Sequence, residues 1–302
     1  MCASPTPVPP PPSPPNDRQG GGHDGGHGSG SDGGHASTGG GVVPELPLTG
    51  ERTLPGIPDE RYWFLRHVVA YRAAQDRVRE LRERRSQGEL TVLDAGCGEG
   101  YGLELLRTAG ADRVVGADLD PLTVAHARAV YTAADPAIEV VEAELRELPL
   151  ADDAVALCVS FQVIEHLHDI PGYLAELQRV TEPGGLVMIA TPNRLTFTPG
   201  SDTPVNPFHT VEFTAVELTR LLRRCGLDVE VVHGVHHAGA LAEVERERQV
   251  SVPAALGEGP PEQWPTWLRT LVHAVEETDF RLAEHHLDAS LDLLATCRVG
   301  RA

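Results

Sequence analysis

From residue 58 onward the chain alternates between two hydrophobic periods. In "DERYWFLRHVVAYRAAQDRVRELRERR" (59–85) apolar side chains recur at three- and four-residue spacing beneath an arginine-rich face, which predicts a long amphipathic helix. "LTVLDAG" (90–96) is a short apolar run of the kind buried on both faces in the middle of a parallel sheet. A helix is expected from about Gly102 to Thr108, then a strand in "DRVVGAD" (112–118) and a helix in "PLTVAHARAVY" (121–131), opened by proline in its first turn. "AIEVVEA" (137–143) and "DAVALCVS" (153–160) predict the third and fourth strands, "PGYLAELQRV" (171–180) a helix, and "PGGLVMIATP" (183–192) the fifth strand. Next come a glycine-closed helix in "TAVELTRLLRRCG" (214–226), a strand in "LDVEVVHGV" (227–235) and a last strand in "SLDLLATCRV" (290–299).

Strand and helix in regular succession predict an α/β fold with a doubly wound, mostly parallel sheet and right-handed crossovers. The expected core spans 88–235 plus 290–299. The stretch at about 236–289 is too long for a turn and is read as a helical insertion over one face.

Composition separates a leader from this pattern. "PTPVPPPPSPP" and "GGGHDGGHGSGSDGGHASTGGG" cannot bury enough apolar surface to offset the entropy of ordering, so residues 1–45 are read as disordered and 46–302 as the folded domain. His23, His27 and His35 are read as part of that flexible leader. The net charge is −19 and all 25 basic residues are arginine, which argues against a nucleic-acid partner. Five cysteines (Cys2, Cys97, Cys158, Cys225, Cys297) form no CxxC pair, and the chain has neither a membrane-length apolar run nor a signal-peptide core. A soluble, cytoplasmic protein handling a small molecule is expected, with no membrane partner.

Chemistry enters at "VLDAGCGEGYG" (92–102), where glycine stands at every second position from Gly96 to Gly102. Glycine costs backbone entropy and adds no side chain, so this spacing implies close approach to the main chain. A strand, a glycine-rich turn and a helix N-terminus make a cradle for a nucleotide-containing cofactor. The dinucleotide pattern G-x-G-x-x-G is not met, because Tyr101 occupies its last position; a nicotinamide cofactor is disfavoured accordingly. Asp118 ends the second strand 22 residues after Gly96, the offset of an acid that accepts from ribose hydroxyls. It competes with Asp120, which precedes Pro121, for the cap of the following helix.

Together "VLDAGCGEGYG", "VVGADLDP", "VEAELRELPL", "FQVIEHL" and "RVTEPGGLVMIATPNR" resemble the successive motifs of class I S-adenosylmethionine-dependent methyltransferases, in order, over about residues 88–235. The resemblance implies a seven-stranded sheet closed by an antiparallel strand in "SLDLLATCRV". It also implies that Asp94 and the turn of Gly96, Cys97, Gly98 and Gly100 face the methionine end of the cofactor. Asp118 would hold the ribose, Leu119 would lie on the adenine, and Glu142 with Ala143 would meet the adenine amino group. Phe161 and Gln162 would line the methionine portion. "LTGERTLPG…YWFLRHVVAY" and "TPNRLTFTPGSDTPVNPFHTVEF" resemble an actinobacterial group, some of whose relatives are associated with O-methylation of sugars in polysaccharides.

Methyl transfer to oxygen requires an aligned acceptor, exclusion of water and removal of a proton. Loops beyond the carboxyl ends of the strands carry Glu165 and His166 in "VIEHL" and His209 in "NPFHT". Imidazole suits a base at neutral pH, so His166 is the first candidate and His209 the second. Some relatives carry E-x-x-E-H at the first place, where it resembles a divalent-metal cluster. Here Gln162 replaces the first acid, leaving Glu165 and His166, helped by Asp169 or His209, as the candidate Mg²⁺ ligands. Tyr62, Trp63 and Phe64 predict an N-terminal helical lid with Arg66 or His67 reaching the cofactor carboxylate, and Trp264 and Trp267 close the other side. The expected activity is O-methylation of a small acceptor such as a sugar or oligosaccharide. Transfer to nitrogen, carbon or a phenol or quinone oxygen, and a non-catalytic cofactor-binding module, are the alternatives.

Overall fold

Strands that are apolar on both faces fill the middle of a sheet covered by helices on each side. In the computed structural model, which describes residues 43–47 and 53–300, β1 (Thr91–Ala95) and β4 (Val155–Phe161) are buried at every position. With β2 (Arg113–Asp118), β3 (Ile138–Glu142), β5 (Thr181–Pro192), β6 (Asp228–His237), β7 (Phe280–Ala283) and β8 (Asp292–Arg298) they form one sheet in the order β3-β2-β1-β4-β5-β8-β6-β7. β1 to β5 run parallel, and β8 lies antiparallel between β5 and β6.

Eight strands stand where seven were expected. The additional one, β7, pairs antiparallel with the last four residues of β6. It comes from the stretch read as a helical insertion, which also forms α7 (Gly239–Arg248), α8 (Val252–Leu256) and α9 (Thr266–Ala274). "FRLA" is too short to display an alternation of its own, and β6 provides the edge that recruits it.

Alternation of side chains along the strands divides the core. Val92 and Leu157 pack with Tyr71 of α1 (Arg61–Arg84), Leu103 of α2 (Tyr101–Thr108) and Val124 of α3 (Pro121–Ala127). Leu93 and Cys158 pack with Leu174 of α4 (Ile170–Val180) and Leu218 of α6 (Ala215–Arg224), a short α5 (Arg194–Phe197) lying between. A third cluster joins Tyr62, Leu65 and Val69 of α1 to Leu241, Leu256, Trp264 and Leu268 of the insertion.

Caps set where the helices begin. Thr214 and Glu217 form a reciprocal capping box on α6. Asp120 caps α3 by accepting from Leu122 N, so the cap does not fall to Asp118. At the other end of the chain the Pro44 carbonyl accepts from His126 Nδ1 at 2.7 Å and Leu46 is buried, so packing starts slightly before residue 46. The remainder of the leader, with His23, His27 and His35, lies outside the described residues. Among the described residues no helix is long and apolar enough to cross a membrane.

Candidate active site

The site forms at the carboxyl ends of β1 and β4, where the order of strands reverses and the loops diverge. The turn after β1 is tied to β2 by Gly96 N and Cys97 N, both donating to the Ala117 carbonyl at 2.8 and 3.0 Å. Its glycines are there for different reasons. A Cβ on Gly96 would stand 2.4 Å from Val163, on Gly100 2.7 Å from Tyr131, and on Gly102 2.2 Å from Tyr71. These three make room for the protein's own side chains. At Gly98, with φ of +54°, a Cβ would meet nothing within 4 Å, and this is where bare main chain faces open space.

That space is a cavity of about 440 Å³. Asp118 lines it, with Oδ2 accepting from Gly98 N at 2.9 Å and Oδ1 from Asp120 N at 3.0 Å, so each oxygen keeps acceptor capacity. Leu119, 62% exposed, offers an apolar surface beside it. Cys97 lines the wall with its thiol pushed up by burial. Phe161 stands edge-on to Tyr71 at 4.9 Å. Gln162 adopts φ of +57°, a left-handed conformation uncommon outside glycine, with its N–H fixed on the Ala190 carbonyl at 2.8 Å.

Four of the expected cofactor residues do not line this cavity: Gly100, which makes room for Tyr131, and Asp94, Glu142 and Ala143. Asp94 is buried beneath the turn, its Oδ2 accepting from Tyr71 Oη at 3.0 Å and its Oδ1 without a partner among the described residues. Burial pushes its carboxyl up to about 7 against the opposing pull of the Tyr71 hydrogen bond. Glu142 is exposed at the end of β3, and the next residue, Ala143, is tied through its N–H to the Asp118 carbonyl at 2.9 Å. Glu144 and Leu145, two residues further on, line the cavity in place of Glu142 and Ala143.

A second cavity of about 260 Å³ shares Thr53, His67, Gln162 and His166 with the first. Glu165, His166 and His209 meet there, one donor atom from each lying within 4.8 Å of those of the other two. Glu165 is 1% exposed; Oε2 accepts from Thr191 Oγ1 at 2.9 Å, Oε1 has no partner among the described residues, and burial pushes its carboxyl up to about 8. His166 Nδ1 donates to the Phe208 carbonyl at 3.0 Å, which leaves Nε2 as the basic nitrogen. His209 Nδ1 donates to the buried Glu212 carboxylate at 2.8 Å, and Asn206 Nδ2 stands 3.0 Å from its Nε2. Asp169 is not part of the group: it caps α4 through Gly172 N.

The lid residues are dispersed. Tyr62 turns into the core and donates to His237 Nε2 at 2.8 Å, Trp63 lines the second cavity, and Phe64 packs on Tyr101. Arg66 is committed to a buried ion pair with Asp292 and to the Leu291 carbonyl, so it does not reach for a cofactor carboxylate. His67 lines both cavities and is kept neutral, burial pushing its imidazole down to about 4. Trp264 is packed behind Trp63 and donates to the Gly259 carbonyl, while Trp267 lies under Arg248; neither lines either cavity.

Sequence reasoning did not find Thr53, Tyr71, Glu99, Glu212 or Asp292. Glu99 was legible in principle, an acid set among glycines; it lines the first cavity, held by Tyr131 Oη at 2.9 Å and Tyr101 N at 3.0 Å. Asp292 reaches the site only because β8 inserts beside β5.

Residues 93–189 match the family model described as "Methyltransferase domain". A protein of Mycolicibacterium smegmatis named "Probable S-adenosylmethionine-dependent methyltransferase" is 45% identical over 258 residues, covering 83% of this chain and 94% of its own length. A like-named protein of Mycobacterium tuberculosis is 42% identical over 258 residues, covering 83% of this chain and 88% of its own. In fold, the chain is similar to a crystal structure of an S-adenosylmethionine-dependent methyltransferase from Thermotoga maritima, with a TM-score of 0.50 and 17% identity over 78% of this chain and 92% of that one.

Proposed function

The chain belongs to the class I S-adenosylmethionine-dependent methyltransferases, and from that premise we propose that it methylates an oxygen of a small, hydroxyl-rich acceptor held in the second cavity. The observation that carries this reading is the shared wall: Gln162 and His166 line both cavities, so an acceptor beside His166 stands next to whatever fills the first.

The first cavity suits a sulfonium nucleoside. Gly98 presents main chain without a side chain to obstruct it, Asp118 retains acceptor capacity for ribose hydroxyls, and Leu119 and Leu145 offer apolar faces to a base, with Glu144 beside them. When bound, the cofactor supplies a methyl group whose bonding pair remains on sulfur as the acceptor oxygen takes the carbon. This chain's residues supply the rest. Phe161 and Gln162 border the reacting end, Trp63 provides an aromatic face of the kind that stacks on sugar rings, and the group of Glu165, His166 and His209 takes charge of the acceptor proton. Mg²⁺ is left out of this reading, because it favours oxygen ligands in an octahedral shell and the group offers one carboxylate and two imidazoles. Cys97, Cys158, Cys225 and Cys297 are free thiols, which fits a cytoplasmic setting, and the net charge of −19 fits a small-molecule partner rather than a nucleic acid.

The test is an acceptor screen read by S-adenosylhomocysteine release, with the methylated position assigned by NMR. Turnover on sugars or oligosaccharides is expected. Turnover confined to amines or carbon acids, or cofactor binding without turnover on any acceptor, would overturn the proposal.

A further inference from the structure

Trp63, Arg66 and Phe197 line the second cavity and also a third, larger one of about 640 Å³. One wall of this third cavity comes from α8 and the residue after it, through Pro253, Ala254, Leu256 and Gly257, and another from Pro199 and Val205 in the loop after α5. The rings that border both spaces are held by other rings. Trp63 packs on Tyr62 at 5.5 Å and on Trp264 at 6.0 Å, and Phe197 is stacked on His209 at 5.2 Å. Val205 lines the third cavity and is 67% exposed, an apolar side chain with little to cover it.

The buried polar side chains of this third cavity are already engaged. Tyr62 Oη is bonded to His237 Nε2 at 2.8 Å, and Thr196 Oγ1 donates to the Ser290 carbonyl at 2.6 Å. Arg66 shares its charge with Asp292 in a buried ion pair, so the passage between the two cavities offers no uncompensated cation to a phosphate or carboxylate. For the several hydroxyls of a second sugar the walls keep chiefly the Trp63 indole N–H and the exposed Ser251 and Glu258. A hydrocarbon chain needs no such partners, and each methylene it buries raises affinity about fourfold. We infer that the third cavity holds an apolar tail of the acceptor, an alkyl or acyl chain carried by the hydroxyl-bearing head in the second. The inference rests on the second cavity being the acceptor site, and it names the acceptor class as an uncharged amphiphile. The head lies beside His166, the tail passes Trp63 and Phe197, and a neutral ester or glycosidic oxygen joins them near Arg66. The insertion after β6 thereby chooses the substrate, because α8 supplies a wall of the tail's chamber.

The experiment takes full-length protein saturated with S-adenosylhomocysteine and follows the fluorescence of the neutral apolar dye phenylnaphthylamine. A saturable rise in emission is expected, reversed by octyl glucoside below its micelle concentration but not by methyl glucoside or cellobiose. Kd for the dye should rise at least ~10-fold in Ala254→Trp, which fills the chamber, and in Val205→Asp, which places a charge on its wall. S-adenosylhomocysteine binding checks that each variant is folded, and Val205→Asp, at an exposed position, serves where Ala254→Trp does not fold. No dye bound by wild type, displacement by cellobiose as readily as by octyl glucoside, or unchanged affinity in the folded variants overturns the apolar chamber. Turnover separates this result from the acceptor chemistry. Octyl glucoside methylated no faster than methyl glucoside overturns the tail and leaves O-methylation standing. Dye bound in the chamber, with only amine or carbon-acid amphiphiles methylated, overturns the hydroxyl acceptor and keeps the chamber.

Discussion

Asp118 and His166 both line the first cavity, and their surroundings differ. Two backbone N–H groups hold Asp118 without exhausting its oxygens, while His166 Nδ1 donates to the Phe208 carbonyl and its ring stands edge-on to His209. His166→Ala is expected to lower turnover by ~10²-fold or more, measured by steady-state release of S-adenosylhomocysteine at saturating cofactor. Asp94 supports a second prediction. Its carboxyl is raised from an ordinary value near 3.9 to about 7, so the fold favours the protonated form. The stability this group contributes is therefore full below the ordinary value and is lost as pH rises through 7. Asp94→Asn, which keeps an acceptor for Tyr71 and removes the charge, should raise Tm of the cofactor-free protein at pH 8 by roughly 2–4 °C per kcal/mol recovered, with the gain shrinking toward pH 4. A larger gain at pH 4 than at pH 8 would contradict the assignment. At this scale the sequence is legible where a role depends on near neighbours. Asp118 is found from its offset to Gly96, whereas the pairing of Arg66 with Asp292 spans 226 residues and leaves no local trace.

Elements were readable wherever their periodicity was long. The strands of 90–192 and the helices between them follow the hydrophobic pattern to within a few residues, because each must bury one stripe or both faces. β7 and the lid escaped for a common reason: four residues carry no period, and three adjacent aromatics on a helix point in three directions. Tyr62, Trp63 and Phe64 therefore serve the core, the second cavity and the packing of Tyr101 respectively. The glycine turn was legible as a close approach but not in what approaches. Gly102→Ala drives a methyl group into Tyr71 and should cost about 1–3 kcal/mol in chemical denaturation. A neutral substitution there would mean that Tyr71 is free to move, and with it the bond to Asp94.

At the scale of the whole molecule, α1 packs against the insertion after β6 in one hydrophobic cluster and contributes His67 to the lining of both cavities. Residues 2–42 are dominated by proline, glycine and small polar residues that bury little apolar surface, so deleting them should leave Tm within about 2 °C of wild type in calorimetry. Deleting 2–47 removes buried Leu46 and the Pro44 carbonyl that anchors His126, and a fall in Tm is expected. The division of the site into a cofactor end and an acceptor end is tested most directly by calorimetric titration of S-adenosylmethionine into wild type, Asp118→Ala and His166→Ala under one set of conditions. The account predicts a loss of about 1–3 kcal/mol for Asp118→Ala, from ribose hydroxyls left without an acceptor, and unchanged affinity for His166→Ala. Wild-type affinity in Asp118→Ala would contradict it.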